Sequence, residues 1–181
     1  IVVIDEAYGE FAPEHSCTDL INQYNHVIVL RTLSKAFALA GLRCGFTLAN
    51  EAIITLLSKV IAPYPISAPV AEIASKALTT QLDEMKNRVS TTLNIRTQLS
   101  QWLAQQPWCE AVFASDANFV LFRCNNTAIK TALFNLLVSH DILIRDQSKQ
   151  PQLENCLRIS VGSDAEITQL KAVLERECHS F

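Results

Sequence analysis

The sequence predicts an α/β fold: a mainly parallel sheet, followed by a small α+β unit. Three observations carry that reading. Short, continuously apolar runs at 1–4, 27–30 and 45–48 are joined by crossover-length segments, the pattern of buried parallel strands. A helical periodicity extends from about residue 71 to 105. Beyond Pro107 the order of predicted elements becomes β-β-α-β-β-α.

In chain order, Ile1 to Ile4 reads as a buried strand, and Asp5-Glu6-Ala7-Tyr8-Gly9 as the loop at its C-terminal end. Residues 17–24 fit one short helix. Val27 to Leu30 is a second strand, Arg31 to Lys35 a loop, and Gly45 to Leu48 a third strand. Asn50 and Glu51 start a helix that runs to about Val60. Pro63, Pro65 and Pro69 then impose an extended loop. The long helical stretch is expected to break near residues 80–82. Within it Met85, Val89, Leu93, Ile95, Leu99, Trp102 and Leu103 recur at helical spacing. Pro107 ends it. Ala111 to Phe113 and Phe119 to Phe122 read as strands around a polar turn, and Ile129 to Val138 as an amphipathic helix. Ile142 to Ile144 and Leu157 to Val161 read as further strands. Ser163, with Glu166 three residues on, has the spacing of a capping box that opens a last helix. A domain boundary is expected near residue 84, giving 1–83 and 84–181.

The 181 residues suffice for one domain, or one and a fraction. Apolar residues make up 49% and charged residues 18%, the balance of a globular chain and not of a disordered one. A net charge of −3 argues against a nucleic-acid binder. No window approaches the roughly 18 apolar residues of a membrane span. Asp5 and Glu6 interrupt the opening apolar run too early for a secretion signal, so a cytoplasmic location is expected. The six cysteines show no CxxC or Cys/His ligand spacing, and no metal site is expected. Their even number leaves disulfides open, but reduced thiols in an apolar core fit the length better. The chain opens at Ile1 inside an apolar run, as expected of a piece cut from a longer protein.

Open α/β sheets bind ligands beyond the C-terminal ends of their strands, which directs attention to the loops at 5–9 and 31–35. In Arg31-Thr32-Leu33-Ser34-Lys35 an amine follows two hydroxyl residues at a strand end. Such an amine suits a carbonyl-binding lysine. Thr32, Ser34 and Arg43 together have the chemistry of a phosphate clamp. Asp5 could hold a heterocyclic nitrogen protonated, and Tyr8 could offer a phenol to the same ligand. Each residue alone has an ordinary explanation: a loop cap for Asp5, packing for Tyr8, solvated cations for Lys35 and Arg43. Taken in order and spacing, they add up to pyridoxal phosphate.

At these residues a resemblance enters. Asp5-Glu6-Ala7-Tyr8 and Thr32-Leu33-Ser34-Lys35-Ala36-Phe37-Ala38-Leu39-Ala40-Gly41-Leu42-Arg43-Cys44-Gly45 resemble the fold-type-I pyridoxal-phosphate aminotransferases, and among them the histidinol-phosphate aminotransferases. Ile144-Arg145-Asp146 and Leu157-Arg158-Ile159-Ser160-Val161-Gly162 are similar to the family's substrate-arginine segments. The likeness spans essentially the whole chain, but only the later part of the family's cofactor-binding large domain and its C-terminal small domain. It implies that Lys35 bonds the cofactor and moves the proton between substrate and cofactor. It implies that Asp5 pairs with the ring nitrogen, that Tyr8 hydrogen-bonds the ring oxygen, and that Thr32, Ser34 and Arg43 bind the phosphate. Arg158 would take the carboxylate of glutamate or 2-oxoglutarate and the phosphate of histidinol phosphate, and Arg145 would assist with that phosphate. The ordinary alternative for Arg145 is an exposed pair with Asp146. The implied parent is a homodimer that exchanges an amino group between glutamate and imidazole-acetol phosphate in histidine biosynthesis, with the 181-residue chain weakly active or inactive alone. A phosphothreonine decarboxylase, or a folded piece without activity, remains open. Ala38 stands where the family commonly has Gly, and Cys44 where Val is common.

Overall fold

A computed structural model describes residues 1–178. The chain divides into two units, Ile1–Val89 and a second that begins at Ser90, with the division inside the longest helix.

The first unit holds a three-stranded sheet of β1 (Val2–Asp5), β2 (Val27–Thr32) and β3 (Gly45–Ala49), in that order. β1 and β2 are parallel, with Asp5 opposite Leu30. Their connection carries two 3-10 turns, Gly9–Phe11 and Pro13–His15, and the one-turn helix α1 (Leu20–Gln23). β2 and β3 are antiparallel, a correction to the reading of all three runs as parallel strands. The physical reason lies in their link, which holds only the 3-10 turn Ala40–Leu42 and no helix to carry the chain back across the sheet. β2 also runs two residues further than expected, so Arg31 and Thr32 sit in a paired strand and the loop begins at Leu33. Gly45 is needed at the start of β3, because a Cβ there would stand 2.8 Å from the carbonyl oxygen of Arg31.

β1 was expected to be buried, yet Val2 and Val3 are 49% and 56% exposed. It is an edge strand of this sheet, and an edge strand leaves pairing groups and part of its faces open. Asn50 caps α2 (Glu51–Ser58) by accepting from the Ala52 amide. α3 spans Ala68–Thr80 and takes Pro69 into its first turn, where a missing amide costs nothing. Pro69 is therefore helical and not part of the extended loop. Gln81 separates α3 from α4 (Leu82–Leu103), at the expected break.

The second unit is an antiparallel sheet with helices. Its strands are β4 (Cys109–Val112), β5 (Phe119–Cys124), β6 (Arg145–Asp146) and β7 (Cys156–Ser160), in the order β4-β5-β7-β6. Ile142 to Ile144, expected as a strand, precede β6 and do not pair; only Arg145 and Asp146 meet β7. Ile142 and Ile144 pack partly buried against the core cluster while Leu143 between them is 85% exposed, so side-chain packing and not a ladder holds this run. α5 (Thr127–Ser139) is capped by Asn126 and α6 (Asp164–Glu177) by the Ser163–Glu166 capping box. Leu99, Leu103, Trp108, Phe122, Leu133, Leu157 and Leu170 lie in one buried cluster. The Trp108 ring stacks at an angle on Phe122, 5.8 Å between centroids. All six cysteines are free thiols.

Candidate active site

The ends of β1 and β2 and the loop after β2 form one cleft of about 380 Å³. Asp5, Thr32, Ser34, Lys35 and Arg43 all line it, together with Arg31. The sequence brings them there for local reasons. Asp5 closes β1, and its Oδ1 accepts the Ala7 amide at 3.0 Å, which turns the chain sharply after the strand. The loop from Leu33 is anchored by apolar side chains: Leu33, Ala36 and Phe37 are buried while Lys35 between them is exposed. Backbone bonds close it, from Leu33 to the Cys44 carbonyl, from Ala38 to that of Lys35 and from Leu39 to that of Leu33. The lysine amine thus projects from a pinned backbone.

The hydroxyls are likewise fixed. Thr32 donates from Oγ1 to Ser34 Oγ at 2.9 Å, and the Ser34 amide donates to Thr32 Oγ1 at 3.1 Å. Arg43 ends the 3-10 turn with a left-handed backbone, φ 53°, and its Nη1 donates to the Ala40 carbonyl at 2.9 Å. That conformation turns the chain from the loop into β3. Ala38 also adopts positive φ, 57°, which a glycine would take more easily. The Tyr8 ring lies beside the amine, with Lys35 Nζ 5.3 Å from its centroid. Two hydroxyls, a guanidinium, an amine and a carboxylate in one open cleft can hold a phosphorylated, ring-bearing aldehyde.

Sequence reasoning missed the ionic cluster behind these residues. Arg31 Nη2 meets Glu6 Oε2 at 2.7 Å, and its Nη1 meets Glu10 Oε1 at 2.9 Å. Nη2 also donates to Ser16 Oγ at 3.1 Å. The signal available was the presence of Glu6 and Glu10 on either side of Tyr8, with an arginine immediately before Thr32.

The two candidate substrate arginines belong to the second unit. Arg145 and Arg158 face each other across β6 and β7, so two guanidinium-bearing residues share one face at the sheet edge. Arg158 lies over the Phe119 ring, 4.8 Å from its centroid. Asp146 is engaged elsewhere: Lys130 Nζ binds its carboxylate at 2.6 Å. The exposed Arg145–Asp146 pair considered from sequence is therefore replaced by a Lys130–Asp146 pair. Burial works to raise the Asp146 carboxyl, but hydrogen bonds from Lys130 and Ser148 outweigh it and hold it at about 2. Thiol chemistry is not favoured in this unit. Burial pushes Cys109 and Cys178 up to about 11 and Cys124 to about 12, so these sulfurs stay protonated and unreactive at neutral pH.

Comparison with known proteins agrees in sequence and in fold. A family model described as aminotransferase class I and II matches residues 1–174. The histidinol-phosphate aminotransferase of Colwellia psychrerythraea strain 34H is 67% identical over 180 residues, covering 97% of this chain and 49% of its own. That of Salmonella paratyphi B is 49% identical over 178 residues, covering 98% of this chain and 49% of its own. The chain thus spans about half the length of the curated relatives it matches. Among solved structures, the histidinol-phosphate aminotransferase of Clostridium acetobutylicum superposes with a TM-score of 0.86 at 26% identity, over 97% of this chain and 54% of its own. That of Sinorhizobium meliloti, solved in complex with pyridoxal-5'-phosphate, gives 0.83 at 31% identity, over 97% of this chain and 48% of its own. An L-threonine-O-3-phosphate decarboxylase from Porphyromonas gingivalis shares the fold at 22% identity and a TM-score of 0.84. On the family match and the arrangement of the Lys35 cleft, the chain belongs to the class I and II aminotransferases.

Proposed function

We propose that this chain supplies the lysine-bearing part of a histidinol-phosphate aminotransferase, exchanging an amino group between glutamate or 2-oxoglutarate and histidinol phosphate or imidazole-acetol phosphate. The observation that carries the reading is the convergence of Asp5, Thr32, Ser34, Lys35 and Arg43 on one cleft from separate segments. That donor set fits pyridoxal phosphate, which when bound supplies an electron sink for the carbon that loses its proton. The residues then divide the work. Thr32, Ser34 and Arg43 hold the phosphate through hydroxyl and charge-assisted hydrogen bonds. Asp5 would keep the ring nitrogen protonated by an ion-pair hydrogen bond. Tyr8 would offer its phenol to the ring oxygen. Lys35 would hold the cofactor's aldehyde end and move the substrate proton at its Nζ. Arg158 binds the substrate carboxylate or phosphate, and Arg145 supports it across the strand pair.

In this reading residues 1–83 are part of a large, cofactor-binding domain and residues 84–181 a small C-terminal domain. The parent works as a cytoplasmic homodimer. The test is a substrate comparison on the full-length protein that contains this segment. With glutamate and imidazole-acetol phosphate, formation of histidinol phosphate and 2-oxoglutarate is expected. Carbon dioxide release from phosphothreonine without amino transfer would replace the reading by a decarboxylase.

A further inference from the structure

We propose that Arg31 is the positioning residue of the Lys35 cleft. Clamped between Glu6 and Glu10, it sets the separation between the segment carrying Asp5 and Tyr8 and the loop carrying Thr32, Ser34 and Lys35. The inference rests on the reading of that cleft as a pyridoxal-phosphate site.

Arg31 stands in β2, opposite Phe46 and next to Thr32, so its backbone is fixed in the sheet. Its guanidinium reaches back to the other segment and grips it at two points, Glu6 and Glu10. Glu6 directly follows Asp5, and Glu10 lies two residues beyond Tyr8. One planar group therefore brackets the carboxylate and the phenol assigned to the ring. Gly9 crosses that plane closely: a Cβ there would lie 3.1 Å from Arg31 Cζ and 3.2 Å from its Nη1. Glu6 is tied a second time, accepting from the Ser16 hydroxyl at 3.2 Å and the Cys17 amide at 2.5 Å. The side chains of Arg31, Glu6 and Glu10 are only 16%, 8% and 11% exposed.

Two carboxylates sharing one buried cation are a poor device for stability alone, since apolar packing of the same volume does as well or better. What the cluster supplies is geometry. A guanidinium presents a rigid fork that satisfies two carboxylates at once, whereas an ammonium is a point charge on a flexible stem. Arg31→Lys therefore keeps the charge and removes the span.

The test uses the full-length protein that contains this segment, as wild type, Arg31→Lys, Glu10→Gln, and Val29→Ala as a control that loosens β2 without touching the clamp. Each is titrated with pyridoxal phosphate by visible absorbance, trapped with borohydride and mapped by peptide mass at Lys35. Thermal unfolding without cofactor is recorded for all. Arg31→Lys is expected to weaken binding at Lys35 about tenfold and to shift the absorbance of the adduct. Glu10→Gln is expected to do the same to a smaller extent. Val29→Ala, at a comparable loss of Tm, is expected to change neither. Wild-type affinity and spectrum in Arg31→Lys overturn the inference and leave the cleft reading intact, as does Val29→Ala reproducing the loss. If Arg31→Lys does not fold, unaltered binding by Glu10→Gln overturns it. A wild-type chain unlabelled at Lys35 overturns the reading of the cleft, and the inference with it.

Discussion

The sheet of the second unit buries Val120, Phe122, Leu157 and Ile159 in one cluster with Leu133, Leu137, Leu170 and Leu174. The sheet of the first unit leaves Val2 and Val3 about half exposed, and Val60, Ile61 and Tyr64 beyond it are 80%, 53% and 94% exposed. The contrast separates stability from chemistry. The second unit gathers the apolar side chains of its sheet and helices around one core, with Leu143 left exposed. The first carries the lysine cleft, pinned locally by Leu33, Ala36 and Phe37, yet presents apolar area of the kind that marks association surfaces.

The contrast can be broken first in the second unit. Phe122→Ala removes a ring that is 1% exposed and packed on Trp108, and is expected to cost about 3–5 kcal/mol. Both tryptophans, Trp102 and Trp108, lie in that unit, so their fluorescence follows its unfolding in denaturant. Labelling of Lys35 is expected to survive the change. A loss of both together would show that the units do not unfold separately.

A smaller effect follows from the Lys130–Asp146 pair. Because the folded carboxyl lies near 2, below its ordinary value, the pair stabilises at neutral pH and its contribution is lost as pH falls toward 2. Asp146 is a third exposed, and water screens the pair, so Asp146→Asn is expected to cost about 1 kcal/mol at pH 7 and little at pH 2. Urea unfolding at the two pH values checks the sign.

In the first unit, Ala38→Gly relieves a left-handed backbone at φ 57°, offset by the greater freedom of glycine in the unfolded chain. A gain of about 0.5 kcal/mol is expected in thermal unfolding followed by backbone circular dichroism. Smallest in stability is Val3→Lys on the edge strand, expected to change unfolding by less than about 0.5 kcal/mol. Its effect is expected in sedimentation, as weaker concentration-dependent association.

Much of this was legible in the residues. The break near 81, the caps at Asn50 and Ser163 and the strands β4, β5 and β7 follow from periodicity and capping chemistry, which are local. That Asp5, Thr32, Ser34, Lys35 and Arg43 lie near one another was legible in their placement at strand ends and in their spacing. The antiparallel direction of β3 was not, since the length of a link does not reveal whether it holds a crossover helix. Nor was the exposure of β1, because a fully apolar run reads as buried whatever lies beside it. The Arg31 clamp escaped for a third reason. Glu6 and Arg31 are polar residues in separate predicted loops and Glu10 lies just beyond the first, and only the fold shows that they share one buried place.

The most direct measurement is borohydride trapping of pyridoxal phosphate on this chain, with the modified peptide identified by mass. Saturable modification at Lys35, lost in Asp5→Asn and in Arg43→Ala but retained in Arg123→Ala of the second unit, is expected. Uniform labelling across the exposed lysines, insensitive to Asp5 and Arg43, would contradict the assignment of the cleft.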